Sequence, residues 1–232
     1  MIKQCCAAFL LAAVSTASFA ETAPVTLTED QKLSYVLGQN TAVSLSQQQI
    51  VIQADAFVMG LKDALEKNPS KLSKTEIEAV IAAFTQQRQE KAKAAMDKIG
   101  KANIDAGKAF ITDYKTKKDV VSLPNGIAYK VLKAGSGIQP TIADKVTAHY
   151  TGKLVNGQVF DSSIPRGEPS SFALNGVIKG WQEILPMMKV GAKWEVVIPP
   201  SLAYNNQRAG KLIGPMSTLV FEIELLEVKK AK

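Results

Sequence analysis

Apolar residues recur at helical spacing from Thr28 to Lys118 and, after Val120, at the two-residue spacing of strands. The first regime is rich in Ala, Gln, Lys and Glu and holds a single proline, Pro69. Thr28-Glu29-Asp30-Gln31 and Ser73-Lys74-Thr75-Glu76 fit the reciprocal cap that starts a helix, a hydroxyl followed three residues later by an acid or amide. One helix is predicted with Leu33, Val36 and Leu37 on a stripe. A second follows Gln53 with Phe57, Leu61, Ala64 and Leu65 before Asn68-Pro69 stops it, and a third runs from Thr75 towards Lys118.

At 1.5 Å per residue the third helix would be ~65 Å long. Ile77, Val80, Ile81 and Phe84 open it, and Ile104, Phe110, Ile111 and Tyr114 close it; its middle offers little that is apolar beyond alanines and Met96. That pattern predicts a strut crossing solvent between two packed ends. Gly100 and Gly107 weaken it by about 1 kcal/mol each relative to alanine, and bending is expected there. Neither of the first two helices can hide its stripe alone, and their apolar set is too small for a core. A second copy is the simplest cover, so a homodimer through the N-terminal helices is expected.

In the second regime Val146-Thr147-Ala148-His149-Tyr150 and Leu219-Val220-Phe221-Glu222-Ile223-Glu224-Leu225 alternate as half-buried antiparallel strands do. Gly135-Ser136-Gly137, Asn156-Gly157 and Pro199-Pro200 mark turns, and one helix-sized segment, Trp181 to Met188, lies between strands. The fold class is therefore α+β: an all-helical dimerisation region with a long connecting helix, then a sheet with one short helix.

The N-terminus adds a destination. Lys3 precedes an uncharged run to Ala20, too short to span a bilayer, and Ser18-Phe19-Ala20 before Glu21 fits a signal-peptidase site. Both cysteines, Cys5 and Cys6, fall inside this predicted leader, so the mature chain is expected to be thiol-free, as suits an oxidising compartment. The periplasm or the cell surface and outer membrane follow. The formal charge of +7 loses only Lys3 with the leader. Its lysines are scattered and lack interleaved aromatics, so no nucleic-acid partner is expected. No Cys or His cluster, phosphate-binding loop or Ser-His-Asp set appears in the mature chain, leaving hydrolase and nucleotide-binding classes without support and no cofactor expected. His149, the only histidine, reads as a hydrogen-bonded strand residue.

Ordered blocks run through the second half: Leu123-Pro124-Asn125-Gly126-Ile127-Ala128-Tyr129, His149-Tyr150-Thr151-Gly152, Phe160-Asp161-Ser162-Ser163 and Arg166-Gly167-Glu168-Pro169. Val177-Ile178-Lys179-Gly180-Trp181, Met188-Lys189-Val190-Gly191, Leu202-Ala203-Tyr204 and Leu219-Val220-Phe221-Glu222 follow. With these blocks the chain resembles the FKBP-type peptidyl-prolyl cis-trans isomerases, and over its whole length their Mip/FkpA-like subgroup. The resemblance implies a signal peptide at 1–20, a helical dimerisation region and connecting helix at 21–119, and an isomerase domain at 120–232. That domain would be an antiparallel half-barrel sheet wrapped over a short helix.

Carried over residue by residue, Trp181 would form the floor of the proline site. Tyr150, Phe160, Val177, Ile178, Tyr204, Ile213 and Phe221 would form its walls, and Asp161 and Arg166 its polar rim. Three departures bear on preference: Ser170 stands where an aromatic often follows, Asn205 replaces a glycine, and 206–211 lacks a histidine that some members carry. Asn205 can still take a left-handed backbone, while Ser170 is expected to leave the pocket edge shallower. The implied activity is isomerisation of X-Pro bonds in unfolded or exported polypeptides, with macrolide FKBP inhibitors as ligands. A holdase chaperone, or a surface host-interaction factor using the same pocket for binding, is the alternative.

Overall fold

The structure, a computed structural model, describes residues 26–231, so the predicted leader and its cysteines lie outside the described residues. The chain divides into two compact units, one ending at Ser73 and the other spanning Lys74–Lys232.

In the first unit lie α1 (Glu29–Gln47) and α2 (Ala54–Leu65). Thr28 starts α1 as the sequence predicts: its hydroxyl accepts from the Gln31 N–H at 3.3 Å, and Gln31 Oε1 accepts from the Thr28 N–H at 3.0 Å. α2 stops at Leu65, just before Lys67 takes a left-handed backbone (φ 59°) ahead of Asn68-Pro69. No residue of either helix is buried, and Leu33, Leu37, Leu61 and Leu65 are each more than half exposed.

The second unit opens with α3 (Lys74–Thr116), 43 residues long. Seven antiparallel strands follow: β1 (Val120–Ser122), β2 (Ala128–Lys133), β3 (Lys145–Leu154), β4 (Val159–Ser162), β5 (Ser170–Ala173), β6 (Lys193–Ile198) and β7 (Leu219–Lys229). The sheet is open, in the order β1-β2-β6-β7-β3-β4, with β5 also pairing β3. β3 is long enough for one edge to serve two partners, β5 along Lys145–Ala148 and β4 along Thr151–Lys153.

A short helix, α4 (Lys179–Ile184), covers the inner face, where Trp181, Ile184 and Leu185 join Tyr150, Val196 and Phe221 in the main core. It starts two residues before the predicted Trp181 and yields after Ile184 to a 3₁₀ turn, Leu185–Met187. Pro186 accounts for the change, since it has no N–H to give Gln182 and its ring would strike that carbonyl in an α-helix.

The outer face is not all solvated. Phe110, Ile111 and Tyr114 of α3 pack on Ala128, Val197 and Val220 in a second apolar cluster. Val196-Val197-Ile198 and Leu219-Val220-Phe221 are therefore buried as unbroken runs, and the expected alternation in β7 resumes only beyond them. Of Gly100 and Gly107, both expected as points of bending, the second has a packing reason. Both are buried in the docked stretch of α3, and a Cβ on Gly107 would fall 3.1 Å from Thr218 Cβ and closer still to its hydroxyl.

Asp144, nearly inaccessible, fastens the end of β7 to the turn before β3. Its carboxylate accepts from Thr141 N (2.7 Å) and Oγ1 (2.9 Å), Lys230 Nζ (2.9 Å) and Ala231 N (2.9 Å). The Thr141 amide first, then Lys230, hold this carboxyl far below the usual carboxylate range. A carboxyl depressed on folding stabilises above its unfolded pKa and loses that contribution as pH falls towards the folded value. Asp144→Asn is expected to lower the denaturant midpoint at neutral pH, and the gap to the unchanged protein should close as pH falls below about 4. A gap independent of pH would remove the carboxylate's charge from the account.

Candidate active site

Where β3, β4, β5 and α4 meet, a cavity of ≈ 340 Å³ opens to solvent. Its floor is Trp181, second residue after the start of α4, with only 4% of its surface exposed. Three rings meet the indole edge-on: Tyr150 from β3 at 5.4 Å, Phe172 from β5 at 5.4 Å and Phe221 from β7 at 5.3 Å between centroids. Phe160 from β4 stands edge-on to Phe221 at 5.6 Å. Edge-to-face pairs of this kind favour a fixed geometry beyond the area they bury. Gly152 lets the last two rings close over β3, because a Cβ there would lie 2.5 Å from the Phe160 ring and 2.8 Å from that of Phe221. The indole Nε1 is buried and, among the described residues, has no hydrogen-bond partner.

The rim is charged. Arg166 donates from Nη1 to Asp161 Oδ1 (2.9 Å) and from Nη2 to the Tyr150 hydroxyl (3.2 Å) and Ser170 Oγ (3.2 Å), while the Tyr150 hydroxyl donates to Asp161 Oδ2. Its guanidinium also lies over the Tyr150 ring, 5.8 Å from the centroid. Partial burial would push the Asp161 carboxyl up, but the Tyr150 and Arg166 hydrogen bonds outweigh it and hold the carboxyl below its usual value. Burial first, then the neighbouring Asp161, push the Tyr150 phenol up. The ion pair is about half exposed on both sides, so its contribution to stability is small and its place at the cavity mouth is its main consequence.

Of the residues singled out from sequence, Tyr150, Phe160, Asp161, Val177, Ile178, Trp181, Tyr204 and Phe221 line this cavity. Arg166 is not in the lining and reaches the rim through its hydrogen bonds to Asp161 and Tyr150. Ile213 lines a neighbouring cavity of ≈ 510 Å³ with Ala209–Leu212, and the two cavities share Phe160, Asp161 and Tyr204. Asn205 takes the left-handed backbone allowed for it, with φ 51°. Phe172 and Gly176 are lining residues that sequence reasoning missed. The signal for Phe172 was strand parity, since positions 170 and 172 share a face of β5. His149 faces away from Tyr150 by the same rule and places Nδ1 3.0 Å from Ser163 Oγ. Among the described residues no group of three or more His, Cys, Asp or Glu is placed to hold a metal ion.

An open antiparallel sheet over one short helix, with an indole floor between them, defines a class, and the comparisons with known proteins name it. Residues 136–226 match the family model of the FKBP-type peptidyl-prolyl cis-trans isomerase, and residues 30–131 match that of the domain amino-terminal to it. The chain is 42% identical over 203 residues to the peptidyl-prolyl cis-trans isomerase Mip of Coxiella burnetii, covering 88% of each chain. It is 37% identical over 230 residues to the outer membrane protein MIP of Legionella longbeachae, covering 99% of each. The crystal structure of FkpA from Escherichia coli superposes with a TM-score of 0.70 at 40% identity, covering 88% of this chain and 99% of that one. This chain belongs to the FKBP-type peptidyl-prolyl isomerases, in the Mip/FkpA-like subgroup, and catalyses peptidyl-prolyl isomerisation.

The electrostatics of the rim bear on how chemistry at this cavity would respond to pH. Asp161 is held ionised by a depressed pKa, and Tyr150 is held neutral by a raised one. Neither changes charge between about pH 5.5 and 8.5. kcat/KM for an Xaa-Pro peptide is expected to vary by less than about twofold across that range. A step within it would mean that a titrating group takes part in the reaction.

Proposed function

We propose that the Trp181 cavity is where the isomerisation takes place, and that catalysis there is non-covalent. The barrier to rotation about a peptide bond is roughly 18–20 kcal/mol because resonance gives C–N partial double-bond character. In the twisted amide that resonance is lost, the nitrogen is pyramidal and the oxygen carries less charge. Water therefore favours the planar form. A cavity floored by Trp181 and walled by Tyr150, Phe160 and Phe221 removes that advantage and seats the pyrrolidine ring, with Val177 and Ile178 beside it. Donors at the edge, the Ile178 N–H and the Tyr204 hydroxyl, hold the neighbouring carbonyls. Asp161, fixed by Tyr150 and Arg166, orients the polar side and passes no proton. Ile213 extends the apolar wall towards residues flanking the proline. Lowering the barrier by about 5.4 kcal/mol accelerates rotation about 10⁴-fold, which differential binding of the twisted form can supply.

The observation that carries this reading is the set of six aromatics lining a cavity whose one charged lining residue among the described residues, Asp161, is paired with Arg166 at its mouth. Tyr204→Phe and Asp161→Leu are each expected to lower kcat/KM about tenfold, a loss of 1.36 kcal/mol of transition-state binding. Circular dichroism and the denaturant midpoint should stay near those of the unchanged protein. Unchanged turnover in both would remove these residues from the site. A macrolide FKBP inhibitor is expected to compete with the peptide.

The clients are X-Pro-containing polypeptides met after export, since slow X-Pro isomerisation limits folding. The leader-like N-terminus and the name of the Legionella relative support a periplasmic or outer-membrane location. The exposed stripes of α1 and α2 support a homodimer, whose paired sites would add a holding function by making a second weak client contact intramolecular. Leu33→Asp with Leu37→Asp is expected to give a monomer in sedimentation analysis, with peptide turnover per site unchanged. Refolding of a large proline-limited protein should slow. Equal acceleration of refolding by monomer and parent would discard the holding role.

A further inference from the structure

Asn103 lies on the stripe of α3 that carries Gly100, Gly107, Phe110 and Tyr114, but it reaches the segment that follows the cavity rather than the sheet. Its Nδ2 donates to the Pro215 carbonyl at 2.8 Å and lies 3.3 Å from Ser217 Oγ, which in turn donates to the Gly214 carbonyl at 3.0 Å. Between those two contacts Met216 holds a left-handed backbone, φ 56°, and donates its N–H to the Asn205 carbonyl at 2.6 Å. Asn205 is itself left-handed and directly follows Tyr204, one of the three residues shared by both cavities. Two consecutive constraints thus run from the helix to the cavity edge.

Left-handed non-glycine residues persist where their surroundings hold them. Here the surroundings of Met216 are α3. A Cβ on Gly100 would lie 3.5 Å from Met216 Cγ, and a Cβ on Gly214 would lie 3.1 Å from Asn103 Nδ2 and 3.3 Å from Ile99 Cγ2. Ala209 and Ile213 exchange hydrogen bonds at 3.0 and 3.2 Å, so the intervening residues form a closed loop along the second cavity, and the segment that leaves it is the one Asn103 holds.

We propose that Asn103 is a positioning residue for the isomerase reaction. By fixing Pro215 and Ser217 it sets Met216, and through the Met216–Asn205 hydrogen bond it sets where the Tyr204 hydroxyl stands. The close approach of the helix is admitted at Gly107, where a Cβ would strike Thr218, while a Cβ on Gly100 would meet Met216 and Pro215 only at ordinary contact distance. The inference rests on the assignment of Tyr204 to the substrate site.

The test is a double-mutant cycle in the full-length protein, read with a short Xaa-Pro peptide. Asn103→Ala is expected to lower kcat about fivefold and leave KM within about twofold, the size of coupling that one lost positioning contact gives. Amide hydrogen exchange should quicken for 205–217 and stay unchanged for Val196 and Ile223. Asn103→Asp, which keeps the shape and removes the donor, should behave alike. In a Tyr204→Phe background either change should cost less than about twofold, because the contact it positions is gone. No loss in the single variants, a loss that multiplies with that of Tyr204→Phe, or exchange quickened equally across the sheet would each overturn the proposal. Failure of the underlying assignment reads differently: Tyr204→Phe alone would leave turnover unchanged, and the inference would fall with it.

Discussion

An antiparallel sheet that does not close on itself leaves an apolar inner face, and the cover over that face decides what the sheet can bind. In this protein the cover is one short helix with a tryptophan in its first turn. Trp181 is at once a member of the main core and the floor of the cavity, held edge-on by rings from three different strands. Moving the floor would require moving β3, β5 and β7 relative to α4. The cavity therefore takes its rigidity from folding itself, and no separate device is needed to hold it open.

The same arrangement separates apolar from charged chemistry by depth. Aromatic carbon lines the bottom, and the one carboxylate of the lining, Asp161, lies at the mouth with both oxygens engaged by Arg166 and Tyr150. A free carboxylate there would draw water into a cavity that is otherwise largely apolar. Paired, it remains ionised yet has its strongest acceptor directions already used. Such a half-exposed pair adds little to stability, so its effect is on the polarity of the cavity entrance.

Much of this was legible in the sequence because the information was local. The Thr28 cap, the Asn68-Pro69 stop, the alternating strand β3 and the ordered blocks around Phe160-Asp161 and Val177-Ile178 each declare themselves over a few residues. What escaped notice depends on neighbours distant in the chain. Nothing near Val220 says that its side of β7 is covered, because the cover, Tyr114, lies in a helix more than a hundred residues earlier. Gly100 and Gly107 look like weak points by propensity, and only the presence of Pro215, Met216 and Thr218 turns them into points of contact. Phe172 was within reach by parity along β5 but lay outside the expected position, and the early end of α4 followed from Pro186, whose effect on a helix is local and was available to be used.

The glycines also say what α3 is. A helix that merely joined two parts of a chain would gain from alanine at both positions, by about 1 kcal/mol each. Gly100 and Gly107, seven residues apart on the face that carries Asn103 and Tyr114, instead lie against the segment 215–218, and at Gly107 the approach is so close that a Cβ would strike Thr218. The cost in helix propensity is offset by burial of Tyr114 and by the contacts this approach creates. The last turns of α3 thus belong physically with the sheet, in agreement with a division of the chain at Ser73 rather than after the helix. Because the segment they touch leads to Tyr204, the end of a connecting helix becomes part of the frame on which the cavity edge is built.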